Sequence, residues 1–122
     1  MSEREKFNED RRKYPRLNVV YVTYSIEGKN TEKVGVVLNI GAGGVCLIVN
    51  ENLPPNTTLL LNIDLHDNKQ IISAKGKVVW NAEVPVYFNE ETNYEIGVEF
   101  VDIDEKERLR ISQYVLGQTL EK

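Results

Sequence analysis

The chain has 122 residues, about the size of one domain, and 41% of them are hydrophobic while 28% are charged. This composition is that of a folded soluble protein and excludes a disordered chain, and no apolar run reaches the roughly 20 residues of a membrane span. One cysteine and one histidine exclude an internal disulfide and are too few for a typical zinc site, so we expect neither a metal nor another cofactor.

Charge is distributed unevenly along the chain. Six basic and four acidic side chains give residues 1–16 a net charge of +2, whereas nine basic and fifteen acidic side chains give the remainder −6. Such an acidic body repels a long phosphate backbone, so we expect no nucleic acid partner, although one basic segment is compatible with capture of a small anion. The polar start of the chain is unlike a signal peptide and favours a cytoplasmic location.

The hydrophobic pattern predicts an N-terminal arm followed by strands. Residues 1–10 lack apolar periodicity and are predicted to form a flexible arm, with a single domain over residues 11–122. A period of two residues then predicts six strands. These strands are centred on Leu17–Ile26, Val34–Ile40, Val45–Val49, Leu59–Leu65, Ile72–Trp80 and Tyr94–Phe100.

The period changes at the end of the chain. Asp104 and Glu107 have the spacing of a helix N-terminal capping box, which predicts a helix over about residues 104–120. Its apolar residues form two stripes, one of Ile111, Tyr114 and Val115 and one of Leu109, Leu116 and Leu120. One stripe is expected to pack on the sheet. The other would cover a barrel end or contact another subunit or protein, and a fully covered helix is the favoured outcome.

Six strands and one C-terminal helix define a mainly β fold. We expect a six-stranded antiparallel β-barrel with a C-terminal α-helix, because closure removes the edges that a short open sheet would expose.

Two short motifs stand in order around the first strands. Residues Arg12 to Arg16 read R-K-Y-P-R and match an R-x-x-x-R motif, and Asn39 to Gly44 read N-I-G-A-G-G and resemble a [D/N]-x-S-x-x-G motif. With the later strand pattern and the terminal helix, these motifs resemble the PilZ domain family, which binds cyclic di-GMP. The resemblance covers residues 11 to 116 and implies a PilZ-type barrel.

The resemblance also implies the ligand site. It assigns cyclic di-GMP binding to Arg12, Arg16, Asn39 and Gly44, with Gly43 in the same bend, and implies that Arg11 can favour a stacked pair of nucleotides. In similar domains the arginine arm is mobile when empty and folds over the nucleotide, which changes the surface shown to a partner protein.

One residue departs from the family motif. Gly41 stands where the motif has serine, so a hydroxyl that would hydrogen-bond the ligand is absent. A net hydrogen bond contributes about 1 kcal/mol, which predicts binding that is weaker by roughly five- to tenfold.

The chemistry of these residues suits a guanine dinucleotide. The planar guanidinium groups of arginine pair with guanine O6 and N7 or with phosphate oxygens, and they stack on purines. Pro15 limits the freedom of the segment that carries Arg12 and Arg16. Strand parity directs Asn39 away from Leu38 and Ile40, toward a ligand. The glycines of the bend allow close approach and positive φ, which would aim their N–H groups at ligand oxygens.

Several alternatives stay open. The basic segment would also fit a solvated arm or a membrane-surface patch, and Asn39 to Gly44 would fit a simple hairpin turn. Trp80, on the face of Ile72, Ala74, Gly76 and Val78, is predicted to be core rather than a stacking platform, and Cys46 to be a small strand residue rather than a nucleophile. No catalytic arrangement or phosphate loop is present, which argues against an enzyme.

The favoured function is therefore a cyclic di-GMP receptor that acts on a downstream protein, as a monomer or weak dimer. The alternative is a degenerate PilZ-like interaction module that does not bind the nucleotide.

Overall fold

The computed structural model describes residues 20–85 and 92–120, without the side chains of residues 119 and 120. These residues form six strands and one helix. The elements are β1 (Tyr21–Ile26), β2 (Lys33–Gly41), β3 (Gly44–Val49), β4 (Thr58–Asp64), β5 (Ile72–Val84), β6 (Asn93–Ile103) and α1 (Glu105–Leu120). The six predicted strands and the helix are confirmed, with shifted ends.

The six strands close into an antiparallel barrel. Their order is β1-β2-β3-β6-β5-β4, and β4 pairs back with β1 from Tyr21↔Asp64 to Ile26↔Leu59. Each of the six described strands therefore has a paired neighbour on both sides. The predicted barrel is confirmed.

Buried side chains of the strands, of the loop after β4 and of helix α1 fill the barrel. Most are valine, leucine or isoleucine, which pack well on a pleated surface. Those with 0% or 1% exposure are Val22, Tyr24, Leu47, Leu59, Leu61, Ile63, Leu65, Ile72, Val78, Ile96 and Ile111. At one end of the barrel the Tyr24 hydroxyl donates a 2.7 Å hydrogen bond to Glu51, which also pairs with Lys33.

Helix α1 covers the opposite end of the barrel with one of its apolar stripes. Asp104 caps its N-terminus, because its carboxylate accepts a hydrogen bond from the Lys106 amide at 3.1 Å. Ile111 is fully buried, and Tyr114 and Val115 pack against the core.

The second stripe of α1 is open. Leu109 and Leu116 are each 57% exposed, so the expectation of a fully covered helix is wrong for the residues described. No helix within residues 20–85 and 92–120 is long and apolar enough to span a membrane.

A bulge in β2 separates apolar residues that the alternating pattern places on one face, since Ile40 packs on the core while those before it do not. The pairing with β3 shifts between Val37 and Asn39, which leaves Leu38 as the extra residue. Gly35 faces the core against Leu47, where there is little space for a larger side chain. Three apolar side chains of β2 therefore point outward and are about half exposed or more: Val34, Val36 and Leu38.

A second bulge, in β5, moves an apolar residue from the inner to the outer face of the barrel. The pairing with β6 shifts between Val78 and Trp80, so Val79 is the extra residue and Trp80 leaves the inward face. Trp80 is 42% exposed, and its indole lies over Gly97, where any side chain would collide with it. The prediction that Trp80 belongs to the core is wrong.

Candidate functional site

The bend between β2 and β3 is held by two other elements. Gly41 pairs with Gly44 across the bend. From β6, the Phe100 amide donates to the Gly43 carbonyl at 2.9 Å. From α1, Nη1 of Arg108 donates to the Ala42 carbonyl at 2.8 Å. The bend therefore has a fixed position relative to both the sheet and the helix.

The glycines of the bend have different structural roles. A Cβ atom at Gly44 would collide with the backbone carbonyl of Val98, so the close approach of β6 requires glycine there. A Cβ atom at Gly41 or Gly43 would meet nothing within 4 Å. Among the described glycines, positive φ occurs at Gly28, so the bend does not adopt the positive φ that its glycines allow.

Asn39 lies on the outer surface of the barrel, just before this bend. It is exposed, as expected for a ligand contact, but Leu38 points outward as well because of the bulge. The strict parity that was expected for this strand is therefore wrong at Leu38, while the outward position of Asn39 is confirmed.

A row of paired residues crosses the outer surface from Asn39 to Trp80. Asn39 pairs with Cys46, Cys46 with Gly97, and Gly97 with Trp80. Since neighbouring strands are about 4.8 Å apart, the backbone of Trp80 lies about three strand spacings from that of Asn39, and its indole reaches back over Gly97. Asn39 and the indole therefore belong to one continuous face.

Cys46 is a buried member of this row, between Asn39 and Gly97. It is 8% exposed, and its Sγ lies 3.4 Å from a carboxylate oxygen of Glu95. Burial, and then the hydrogen bond with Glu95, raise the pKa of the thiol. A protonated, buried thiol fits the predicted packing role rather than that of a nucleophile.

An apolar groove adjoins Asn39 on the other side. It has a volume of about 690 Å³ and runs between the outer face of β2, the start of β1 and the C-terminal half of α1. Its lining includes Val20, Val36, Leu38, Asn39, Tyr114 and Val115. A second cleft, of about 610 Å³, lies on the β1, β4 and β5 side and has a polar lining that includes Asn62, Ser73 and Lys75.

The structure brings one half of the predicted site together. Asn39, Gly41, Gly43 and Gly44 lie within one strand end and its bend. The three predicted arginines, Arg11, Arg12 and Arg16, lie outside the described residues. Among residues 20–85 and 92–120, histidine, cysteine and acidic side chains form no group of three that could hold a metal ion.

Two residues at this site were missed by sequence reasoning. Trp80 reaches the outer face only because of the bulge at Val79, which the alternating pattern conceals. Arg108 lies 66 positions from Ala42, and no local motif relates a helical arginine to a distant bend. The pairing of β3 with β6, which includes Gly44↔Glu99, brings the start of α1 beside the bend.

Comparison with known proteins gives the family. The model of the PilZ domain matches residues 10–117, so this chain belongs to the PilZ domain family. The structure of the inhibitor of motility MotI/DgrA from Bacillus subtilis has a similar fold, with a TM-score of 0.68 and 23% sequence identity over 92% of this chain.

The present chain covers 53% of the length of that structure, so the similarity concerns about half of it. A search of the curated proteins found no match.

Proposed function

We propose that this protein is a cyclic di-GMP receptor of the PilZ family and that the nucleotide binds on the outer face of β2 and β3, beside the glycine bend. PilZ domains act as receptor modules, and the described residues offer an exposed amide and an open bend. The proposal includes no catalytic activity and no cofactor other than the nucleotide as ligand.

One observation carries the proposal: Val20 and Asn39 line the same groove. Val20 is where the described structure begins, and Arg16 is four positions earlier. An extended chain spans at most about 3.6 Å per residue, so the Cα of Arg16 is no farther than roughly 14 Å from that of Val20. This limit is compatible with contact between Arg16 and a ligand bound in the groove that Asn39 lines, as the proposal requires.

The proposed contacts follow from the chemistry of the ligand. Arg12 and Arg16 would donate paired hydrogen bonds to guanine O6 and N7 or to phosphate oxygens, and Arg11 would favour a second, stacked nucleotide. The amide of Asn39 would bind a guanine edge. The backbone of Gly41, Gly43 and Gly44 would line the bend beside the ligand, with open space above Gly41 and Gly43.

Trp80 extends the proposed site. Its exposed indole lies in the same outer row as Asn39, and an aromatic face stacks on any purine. We therefore assign the second guanine to the side of the site nearest Trp80.

Binding would order the arginine arm and change the surface offered to a protein partner. The protein with the similar barrel is an inhibitor of motility, which supports an effector that acts through another molecule. We propose a cytoplasmic effector, monomeric or weakly dimeric, whose partner is a protein.

Titration calorimetry with cyclic di-GMP tests the proposal. The parent protein should release or absorb heat that saturates. Arg12→Ala and Arg16→Ala should each weaken binding by roughly ten- to a hundredfold, because each removes hydrogen bonds between charged groups that contribute about 1.5–3 kcal/mol. Arg4→Ala removes the same charge from the arm outside the motif and should bind like the parent.

A parent protein that gives no heat with excess nucleotide at tens of micromolar protein would contradict the proposal and favour the interaction module that lacks nucleotide. Equal weakening by all three substitutions would show that the arginines contribute only general positive charge, which would contradict specific contacts from Arg12 and Arg16.

A further inference from the structure

Helix α1 is fastened to the barrel by two arginines that point to different loops. Arg108 donates to the Ala42 carbonyl in the β2–β3 bend. Arg110 donates to both carboxylate oxygens of Asp67 at 3.1 Å and to the Gln70 carbonyl at 3.0 Å, in the β4–β5 loop. The same helix therefore contacts the bend through one side chain and an unrelated loop through the other.

The hydrogen bond from Arg108 to the Ala42 carbonyl can restrain the conformation of the bend. Its side chain is 34% exposed, so the guanidinium is partly withdrawn from water. The carbonyl that it binds lies between Gly41 and Gly43, whose positions leave open space above the bend. A bend that contains three glycines has few other side chains to fix its conformation, since glycine contributes none of its own.

The helix also borders the groove beside Asn39. Tyr114 and Val115, one to two turns after Arg108, line that groove. A displacement of the bend would therefore reach the helix at Arg108, and a displacement of the helix would change the groove.

We propose that Arg108 is a positioning residue for the ligand site and that it couples the bend to helix α1. The hydrogen bond to Ala42 holds the bend in the shape that receives the nucleotide. By linkage, a ligand that stabilises the bend also stabilises the start of the helix. This inference rests on the proposed function for its ligand, whereas the contact between helix and bend does not.

The first test needs no nucleotide. Amide hydrogen exchange of residues 41–46 should accelerate about fivefold in Arg108→Ala, because one hydrogen bond that restrains the bend is removed. Arg110→Ala, which loses the same charge from the same helix, should accelerate exchange in residues 66–70 and leave residues 41–46 as in the parent. Unchanged exchange at residues 41–46 in Arg108→Ala would overturn the proposal.

The second test adds cyclic di-GMP. The nucleotide should slow exchange in residues 105–111 of the parent protein. In Arg108→Ala, binding should be about fivefold weaker, and residues 105–111 should gain no protection even at saturation. Protection of the helix in this variant equal to that in the parent would overturn the coupling.

The two tests separate this proposal from the function on which it rests. If the parent protein binds no cyclic di-GMP, the proposed function fails, and exchange at residues 41–46 still decides whether Arg108 holds the bend. If Arg108→Ala does not fold, Arg108→Lys is measured in its place. It keeps the charge but loses the planar fork of donors, and the same directions of change are expected.

Discussion

At the scale of single residues, packing requires glycine at one position of the β2–β3 bend, whereas its two other glycines have space for a side chain. Gly44 lies against the backbone of β6 and has no space for a side chain, whereas Gly41 and Gly43 have space. The motif glycine at position 44 is thus explained by the barrel itself. Packing does not explain why position 41 is glycine rather than serine, because a Cβ atom there would meet nothing within 4 Å. We therefore expect that a serine at this position leaves the fold unchanged.

Gly41→Ser should therefore tighten cyclic di-GMP binding by roughly five- to tenfold, because it restores a hydroxyl that contributes about 1 kcal/mol. Titration calorimetry measures the change. Gly43→Ser adds the same group at the neighbouring open position of the bend and should not tighten binding. Unchanged or weaker binding by Gly41→Ser would show that the missing hydroxyl does not limit affinity.

Trp80 provides a direct optical test of the outer face. It is the one tryptophan of the chain and is 42% exposed over Gly97. Saturation with cyclic di-GMP should quench its fluorescence, because a guanine stacked on the indole removes it from water and provides a route for quenching. Trp80→Phe should remain folded and bind with similar or slightly weaker affinity, since phenylalanine keeps a smaller stacking face. An emission spectrum that does not respond at saturation would remove Trp80 from the site.

At the scale of the elements, the sequence predicts the kinds of element better than their faces. The alternation of apolar residues located all six strands, and Asp104 marked the start of the helix within one residue. The expected faces of β2 and of the end of β5 were wrong because each bulge inserts one residue, so that apolar residues of the same parity lie on opposite faces before and after it. Nothing local in the sequence marks Leu38 or Val79 as the inserted residue, since both are apolar and suited to strands.

The same limit applies to the candidate site. The motif from Asn39 to Gly44 could be recognised in the sequence, and the exposure of Asn39 followed. The role of Arg108 could not, because it depends on which loop the barrel end brings to α1. The arginine motif stays a prediction.

The attachment of α1 to the β4–β5 loop should make stability depend on pH. Burial alone would raise the pKa of Asp67, but hydrogen bonds from Arg110 and from the Lys69 amide outweigh it and hold the pKa below its ordinary value. A carboxylate with a lowered pKa in the folded state stabilises the protein above its ordinary pKa, and this contribution is lost as the pH falls through the lowered value.

Asp67→Asn should therefore lower the free energy of unfolding by roughly 1–2 kcal/mol at pH 7, because the partly buried Arg110 loses one of its two charged partners and keeps Glu107. Urea unfolding at pH 7 and near pH 3 measures the difference between parent and variant, which should shrink at the lower pH. Asp102→Asn makes the same change at an exposed position of β6 and should have little effect at either pH. A difference for Asp67→Asn that is the same at both pH values would contradict the charged pairing.

At the scale of the whole molecule, the N-terminal 16 residues and the rest of the chain carry opposite net charge, +2 and −6. The residues after position 16 include the closed barrel, with Asn39 and the bend at the end covered by α1. The basic residues of the first 16 positions provide the charge that the body lacks. A receptor of this design would bind a small dianion where the two parts meet, and would not bind an extended polyanion over the body.

A crystal structure of the protein with cyclic di-GMP tests this account most directly. The dinucleotide should lie on the outer face of β2 and β3, within hydrogen-bond distance of Asn39, with the guanidinium groups of Arg12 and Arg16 on its guanine or phosphate oxygens. A nucleotide bound elsewhere on the barrel, with both arginines turned away from it, would contradict the account.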